Sequence, residues 1–231
     1  MNSREILKKL EKMASARNAE GMARFGIRPK TRVLGVSIPL LRKMAKEIQK
    51  KFGYPASHAL AQELWDSGIH EARILAGYIA DPEKFTEKLF NEWVKTFDSW
   101  DVVDQVCSAC LQKTKFAKKK IFELVNRKKE FEKRTAFTLI CCLAVHDKKM
   151  SDKEFLKFFP LIKKASNDER NFVKKAVNWS LRQIGKRNKN LNKKAIYFAR
   201  QLNQGGLKSQ KWIASNAIKE LESVFVQKRI L

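Results

Sequence analysis

The chain has 231 residues, with 49 Lys and Arg against 24 Asp and Glu and a formal charge of +25, far more than solubility asks of a protein this size. The length suffices for one large domain with its own core or for a continuous array of small repeats, and the charge calls for a polyanionic partner. Nucleic acid comes first, because a basic surface releases counterions from the phosphate backbone, with an anionic membrane or an acidic protein as the other fits.

Apolar residues recur at helical spacing almost throughout, interrupted by only five prolines and nine glycines, so an all-α fold is expected. The spacing predicts helices over 3–17, 19–25, 37–52, 56–67, 69–80, 82–97, 99–112, 115–127, 130–147, 151–165, 169–186, 190–203 and 207–225. The first is amphipathic and lacks a signal-peptide core, and no apolar run approaches the roughly 20 residues that span a bilayer. A soluble, cytoplasmic, nucleoid-associated protein is the expectation. Ser37 can cap the third helix with Pro39 in its first turn, Gly53 can close it in a left-handed conformation, and Asp81-Pro82 can start a later one. Short connections and paired helices without glycine-rich linkers suggest a curved α-solenoid, with a globular bundle as the alternative.

His70-Glu71-Ala72-Arg73 opens one helix with three polar side chains, which reads as inter-helix pairing. In Asp98-Ser99-Trp100-Asp101-Val102-Val103-Asp104, Asp98 is a natural N-cap and Asp101 a first-turn acid favoured by the helix dipole. Asp104 has no such local explanation. It lies one turn from Trp100 on the same side, so that an indole and a carboxylate share a patch, or else it is a partly buried acid paired with an Arg. Cys107, Cys110, Cys141 and Cys142 all fall inside apolar helical segments, which favours reduced, buried thiols over a metal site. Arg134 opens a hydrophobic helix, where a salt bridge is its ordinary role, and Phe137 to Val145 reads as a central helix rather than a strand.

Between Glu169 and Glu220 there is no acidic residue. On a helix turning about 100° per residue, Val173, Val177, Ser180, Leu181 and Ile184 make the face to bury, and Lys175, Trp179, Arg182 and Lys186 make the opposite one. An indole among cations is either covered by a second helix layer or placed to contact a nucleotide flanked by phosphate-binding side chains. The three histidines lie in no nucleophile–base motif and no glycine loop could cradle a phosphate, which argues against kinases, NTPases and triad hydrolases.

At Trp100-Asp101-x-x-Asp104, Lys133-Arg134-Thr135-Ala136-Phe137 and Lys174-Lys175-Ala176-Val177-Asn178-Trp179-Ser180-Leu181-Arg182, the sequence resembles the DNA alkylation repair family of AlkD-like glycosylases. The resemblance runs in order over nearly the whole chain. It implies a HEAT-like α-solenoid forming a single DNA-binding domain over 1–231, with a basic concave face holding duplex DNA. It implies excision of N3- and N7-alkylated purines without a deep base-flipping pocket, by a monomer that needs no cofactor. Asp104 then matches the catalytic carboxylate, Trp100 and Trp179 the aromatics around the lesion, and Arg134 the arginine beside it. Lys174, Lys175, Arg182 and Lys186 are the phosphate-binding candidates, and Phe25 stands where the family usually has Tyr. Because an N3- or N7-alkylated purine is already cationic, one carboxylate that stabilises an oxocarbenium-like sugar can suffice. The competing readings are a non-enzymatic helical-repeat scaffold for DNA or RNA and an adaptor for an acidic protein or membrane surface.

Overall fold

A computed structural model describes residues 2–230, Pro55 by its backbone alone. Among the described residues there is no β-strand, only an isolated bridge between Arg32 and Ile69. The described residues form fourteen α-helices in order: α1 (Ser3–Lys12), α2 (Ala16–Arg24), α3 (Ile38–Trp65), α4 (His70–Ile79), α5 (Glu87–Lys95), α6 (Trp100–Ala109), α7 (Ala117–Leu124), α8 (Glu130–His146), α9 (Asp152–Leu156), α10 (Phe159–Ala165), α11 (Asn171–Gly185), α12 (Lys189–Asn203), α13 (Lys208–Leu221) and α14 (Val224–Arg229). No described helix is long and apolar enough to cross a membrane.

Four expected helices are broken, three where a cap side chain competes for the backbone and one at a proline. Ser15 receives the Asn18 N–H at 3.3 Å and starts α2. Thr86 receives that of Leu89 at 3.1 Å, leaving Pro82–Lys84 as a separate 3-10 turn ahead of α5. Pro160 in the first turn of α10 divides 151–165, and Ser223 caps α14. The three hydroxyls satisfy a helix start locally, and Pro160 lacks the N–H that a continued helix would need, so it favours a first-turn position. Gly53 departs from expectation in the other direction: its φ of 70° and ψ of 166° lie outside the left-handed helical region, and the chain resumes helix beyond it, so α3 is kinked there rather than closed. Ser37 sits at the N-cap position of α3 with Pro39 in the first turn, but its side chain makes no cap hydrogen bond.

The chain forms two compact units, residues 1–117 and 118–231. In the first, α3 packs on α4 and α4 on α6, with α1 against both α3 and α4. Helix α4 is buried at every position from His70 to Ile79 except Tyr78, which makes its polar side chains structural by necessity. In the second unit α11 is the hub, packed against α8, α10, α12 and α13. Helix α8 is buried from Arg134 to Ala144, Cys141 and Cys142 included, so the run that could have passed for a strand is a helix enclosed on nearly all sides. Cys107 and Cys110 are buried as well, and burial pushes the Cys110 thiol up to about 12.

Candidate functional site

In the first unit the site is built around the start of α6, and the polar first turn of α4 fixes that start. His70, fully buried, places Nε2 2.8 Å from Asp101 Oδ2, while the Ser99 hydroxyl donates to Asp101 Oδ1. Burial opposes ionisation of Asp101, yet the hydrogen bond and charge of His70, with the donors of Ser99 and Val102, hold its carboxyl below the ordinary range. Asp101 is therefore not an exposed first-turn acid, since only 11% of its side chain remains accessible.

Asp98 is not the N-cap either. Ser99 occupies that position without a side-chain cap bond, and Asp98 instead accepts from Arg73 at 2.9 Å and from the backbone N–H of Lys30 and Thr31 at 2.9 and 3.4 Å. Arg73 also donates to the Thr96 carbonyl at 2.6 Å and lies 4.6 Å above the Trp65 ring, which is itself stacked on Trp93 at 3.9 Å. The buried guanidinium thus ties the loop before α6 to α4 and, through Asp98, to the segment after α2.

Glu71 completes this framework from the next position. Its two oxygens accept from Leu34 and Gly35 N–H at 2.9 and 2.6 Å. The Gly35 carbonyl accepts from the Asn18 amide at 3.1 Å, and the Leu34 carbonyl accepts from Ser15 N–H at 2.8 Å, which docks α2 on this loop. A positive φ of 79° at Gly35 permits the approach, because a Cβ there would lie 2.2 Å from the Ser15 carbonyl oxygen.

Helix α2 ends at Phe25, which is 76% exposed and whose carbonyl accepts the Trp100 indole N–H at 3.2 Å. Between α2, the 35–38 segment and α6 lies a cleft of about 650 Å³ with an apolar floor that includes Met22, Ile27, Val36 and Ile74 and a rim that includes Arg17, Arg24, Phe25 and Trp100. Asp104 is half-buried one helical turn from Trp100 and does not line the cleft. Gln105 does, and it accepts from the Tyr78 hydroxyl at 2.5 Å.

In the second unit, the expected faces of α11 are realised. Val173, Val177, Ser180, Leu181 and Ile184 are fully buried, Lys175 is exposed, and Trp179, Arg182 and Lys186 are half-buried. Helix α8 positions the start of α11 through both backbone groups of one residue: Arg134 donates to the Phe172 carbonyl at 2.7 Å and Glu130 accepts from Phe172 N–H at 3.2 Å. Just before α11, Asp168 binds Arg170 and Lys133 at 2.6 and 3.2 Å. Although burial opposes it, these donors hold the Asp168 carboxyl at about 2.

Three of the four phosphate-binding candidates have a partner within the unit. Lys174 lies 5.5 Å from the centre of the Trp212 ring. Arg182 and Lys186 both bind Glu220 of α13, Lys186 at 2.6 Å. The acid-free stretch of sequence is thus partly neutralised by the residue that ends it.

A family model described as DNA alkylation repair enzyme matches residues 6–221. The chain belongs to that family. A solved structure described as from "a new family of proteins related to the HEAT-like repeat DNA glycosylases with affinity for branched DNA structures" superposes with a TM-score of 0.80 at 21% identity, covering 100% of this chain and 96% of that one. The fold of this DNA alkylation repair family member is accordingly an all-α, HEAT-like repeat. Comparison with curated proteins gives no match. Within the repair protein the charge is uneven: residues 118–231 hold 29 Lys and Arg against 10 Asp and Glu, a net +19, whereas residues 1–117 hold 20 against 14, a net +6. His70, Glu71 and Arg73, which frame the start of α6, were visible in sequence only as a polar run, since their partners lie 23 to 37 residues away.

Proposed function

We propose that the protein is a DNA glycosylase that removes N3- and N7-alkylated purines from duplex DNA, acting as a monomer without a cofactor. The observation that carries this reading is the anchored Trp100: its indole is hooked to the Phe25 carbonyl, its helix start is clamped by the buried His70 and Asp101 pair, and Asp104 follows one turn later on the same side. A carboxylate on a rigid helix beside an aromatic face suits a reaction whose developing positive charge lies on the sugar. As the bond from C1′ to the purine breaks, its electron pair goes to the base and neutralises it. Asp104 stabilises the oxocarbenium-like sugar and orients the water that adds to C1′, and that water's proton is released. Trp100 and Trp179 offer π faces that attract positive charge and exclude solvent. Arg134 lies beside the lesion, and Lys174, Lys175, Arg182 and Lys186 face phosphates. Phe25 supplies an exposed ring without a hydroxyl, so its contribution is stacking and not hydrogen bonding.

The test is release of 7-methylguanine and 3-methyladenine from methylated duplex DNA. Asp104→Asn keeps the size and removes the charge, so excision falls on the order of a hundredfold to a thousandfold while DNA binding survives. Full activity of Asp104→Asn overturns the carboxylate mechanism. A second reading is a non-enzymatic scaffold for DNA junctions, favoured by the branched-DNA affinity that describes the structural neighbour. It predicts no base release by the native protein and tighter binding to a four-way junction than to a linear duplex.

A further inference from the structure

The second unit carries an aromatic and cationic groove that none of the residues above explains. It has a volume of about 480 Å³ and is lined by Leu156, Phe159, Lys193, Lys194, Tyr197 and Phe198, together with Asn190 and Gln201. Lys193, Lys194, Tyr197, Phe198 and Gln201 recur along one side of α12. Tyr197 is 65% exposed, and Phe198 leans on Phe159 with ring centres 5.0 Å apart. The Tyr197 hydroxyl is occupied at the groove's edge by the Gln201 amide at 3.1 Å, which leaves the ring as its free surface.

Among the described residues, no acidic one lines the groove. Asp152, the acid bound by Asn190, has its two oxygens taken by the amides of Asn188 and Asn190 at 2.9 and 2.7 Å. Lys193 and Lys194 are exposed and have no ion-pair partner among the described residues. An open aromatic face beside two unneutralised ammonium groups, on the unit that holds most of the net charge, matches a ligand with a flat π surface and a negative backbone. In a duplex both faces of a base are already stacked. An unpaired nucleotide has a face to offer.

We propose that this groove binds a single-stranded segment of DNA, with a base stacked on Tyr197, the apolar Leu156, Phe159 and Phe198 beneath it, and Lys193 and Lys194 on the adjoining phosphates. The site is separate from the Asp104 chemistry and requires only that DNA be the partner. It suits a flap or a branch, where unpaired bases adjoin a duplex.

The test compares the full-length protein and its variants on two probes, a blunt duplex and the same duplex bearing a single-stranded arm of roughly six nucleotides, within the range of known single-strand sites. The native protein binds the armed probe more tightly. Tyr197→Ala weakens binding of the armed probe about tenfold, as expected for loss of one stacked base, and leaves the blunt duplex unchanged. Tyr197→Phe retains native affinity, and the Lys193→Gln, Lys194→Gln double variant flattens the salt dependence on the armed probe only. With 5-iodouracil in the arm, photocrosslinking falls on the peptide containing Tyr197. Unchanged affinity of Tyr197→Ala for the armed probe overturns the proposal and leaves the groove to a protein partner. An equal loss on both probes overturns it too, since the groove would then belong to general duplex binding. Base release from blunt methylated duplex is read in parallel: its absence in the native protein counts against the glycosylase reading alone.

Discussion

Replacing Asp101 by Ala removes the acceptor for two side-chain donors, His70 and Ser99, at a place where only 11% of the carboxyl-bearing side chain meets solvent. Removing one partner of a buried pair costs about 3–5 kcal/mol, and the residual exposure of Asp101 puts its loss near the lower figure. For a chain of this size each kcal/mol lowers the melting temperature by about 2–4 °C, so Asp101→Ala should melt roughly 6–12 °C below the native protein. Asp101→Asn retains one acceptor and should lose about 1–2 kcal/mol. Because the folded carboxyl lies below its ordinary range, its contribution is complete above about pH 4 and disappears as the pH falls through the folded value. Thermal melts from neutral to acid pH should therefore show the native and Asp101→Ala curves converging in acid. A neutral-pH difference under about 1 kcal/mol is what an exposed first-turn acid would give, and it would refute the assignment of Asp101 to a buried pair.

Three further substitutions test how the site is held and charged. Gly35→Ala puts a Cβ 2.2 Å from the Ser15 carbonyl at a φ of 79°, so α2 must move and the hydrogen bond from Trp100 to Phe25 should break; a melt lowered by at least about 2 kcal/mol is expected. Gly21→Ala in the same helix meets nothing within 4 Å and should instead stabilise by about 0.5–1 kcal/mol. Glu220→Gln releases Arg182 and Lys186 from their ion pairs. Duplex affinity should then rise at low salt, with a slope against salt steeper by up to about 1.8 for two added phosphate contacts; an unchanged slope would place both cations away from DNA.

Periodicity determined the helical class and the buried faces of the helices, whereas the breaks at Ser15, Thr86, Pro160 and Ser223 and the continuation of α3 past Gly53 were not set by spacing. The stripe of Val173, Val177, Leu181 and Ile184 on α11, the enclosure of α8 and the outward placement of Lys175 all follow from spacing, because a helix repeats its face every three or four residues whatever it packs against. The charge of +25 is likewise a property of the sequence, and so are the motifs at Trp100, Arg134 and Trp179. What tertiary structure decided was the partner of each buried polar group. Asp98 could cap α6, and Asp101 could sit in an open first turn, until Arg73 and His70 arrived from 25 and 31 residues away. Arg182 and Lys186 stood in a stretch free of acids until α13 brought Glu220 back across 38 and 34 residues. A buried donor or acceptor takes whichever partner the packed helices present, and that choice is made by contacts distant in sequence, where no local spacing records it.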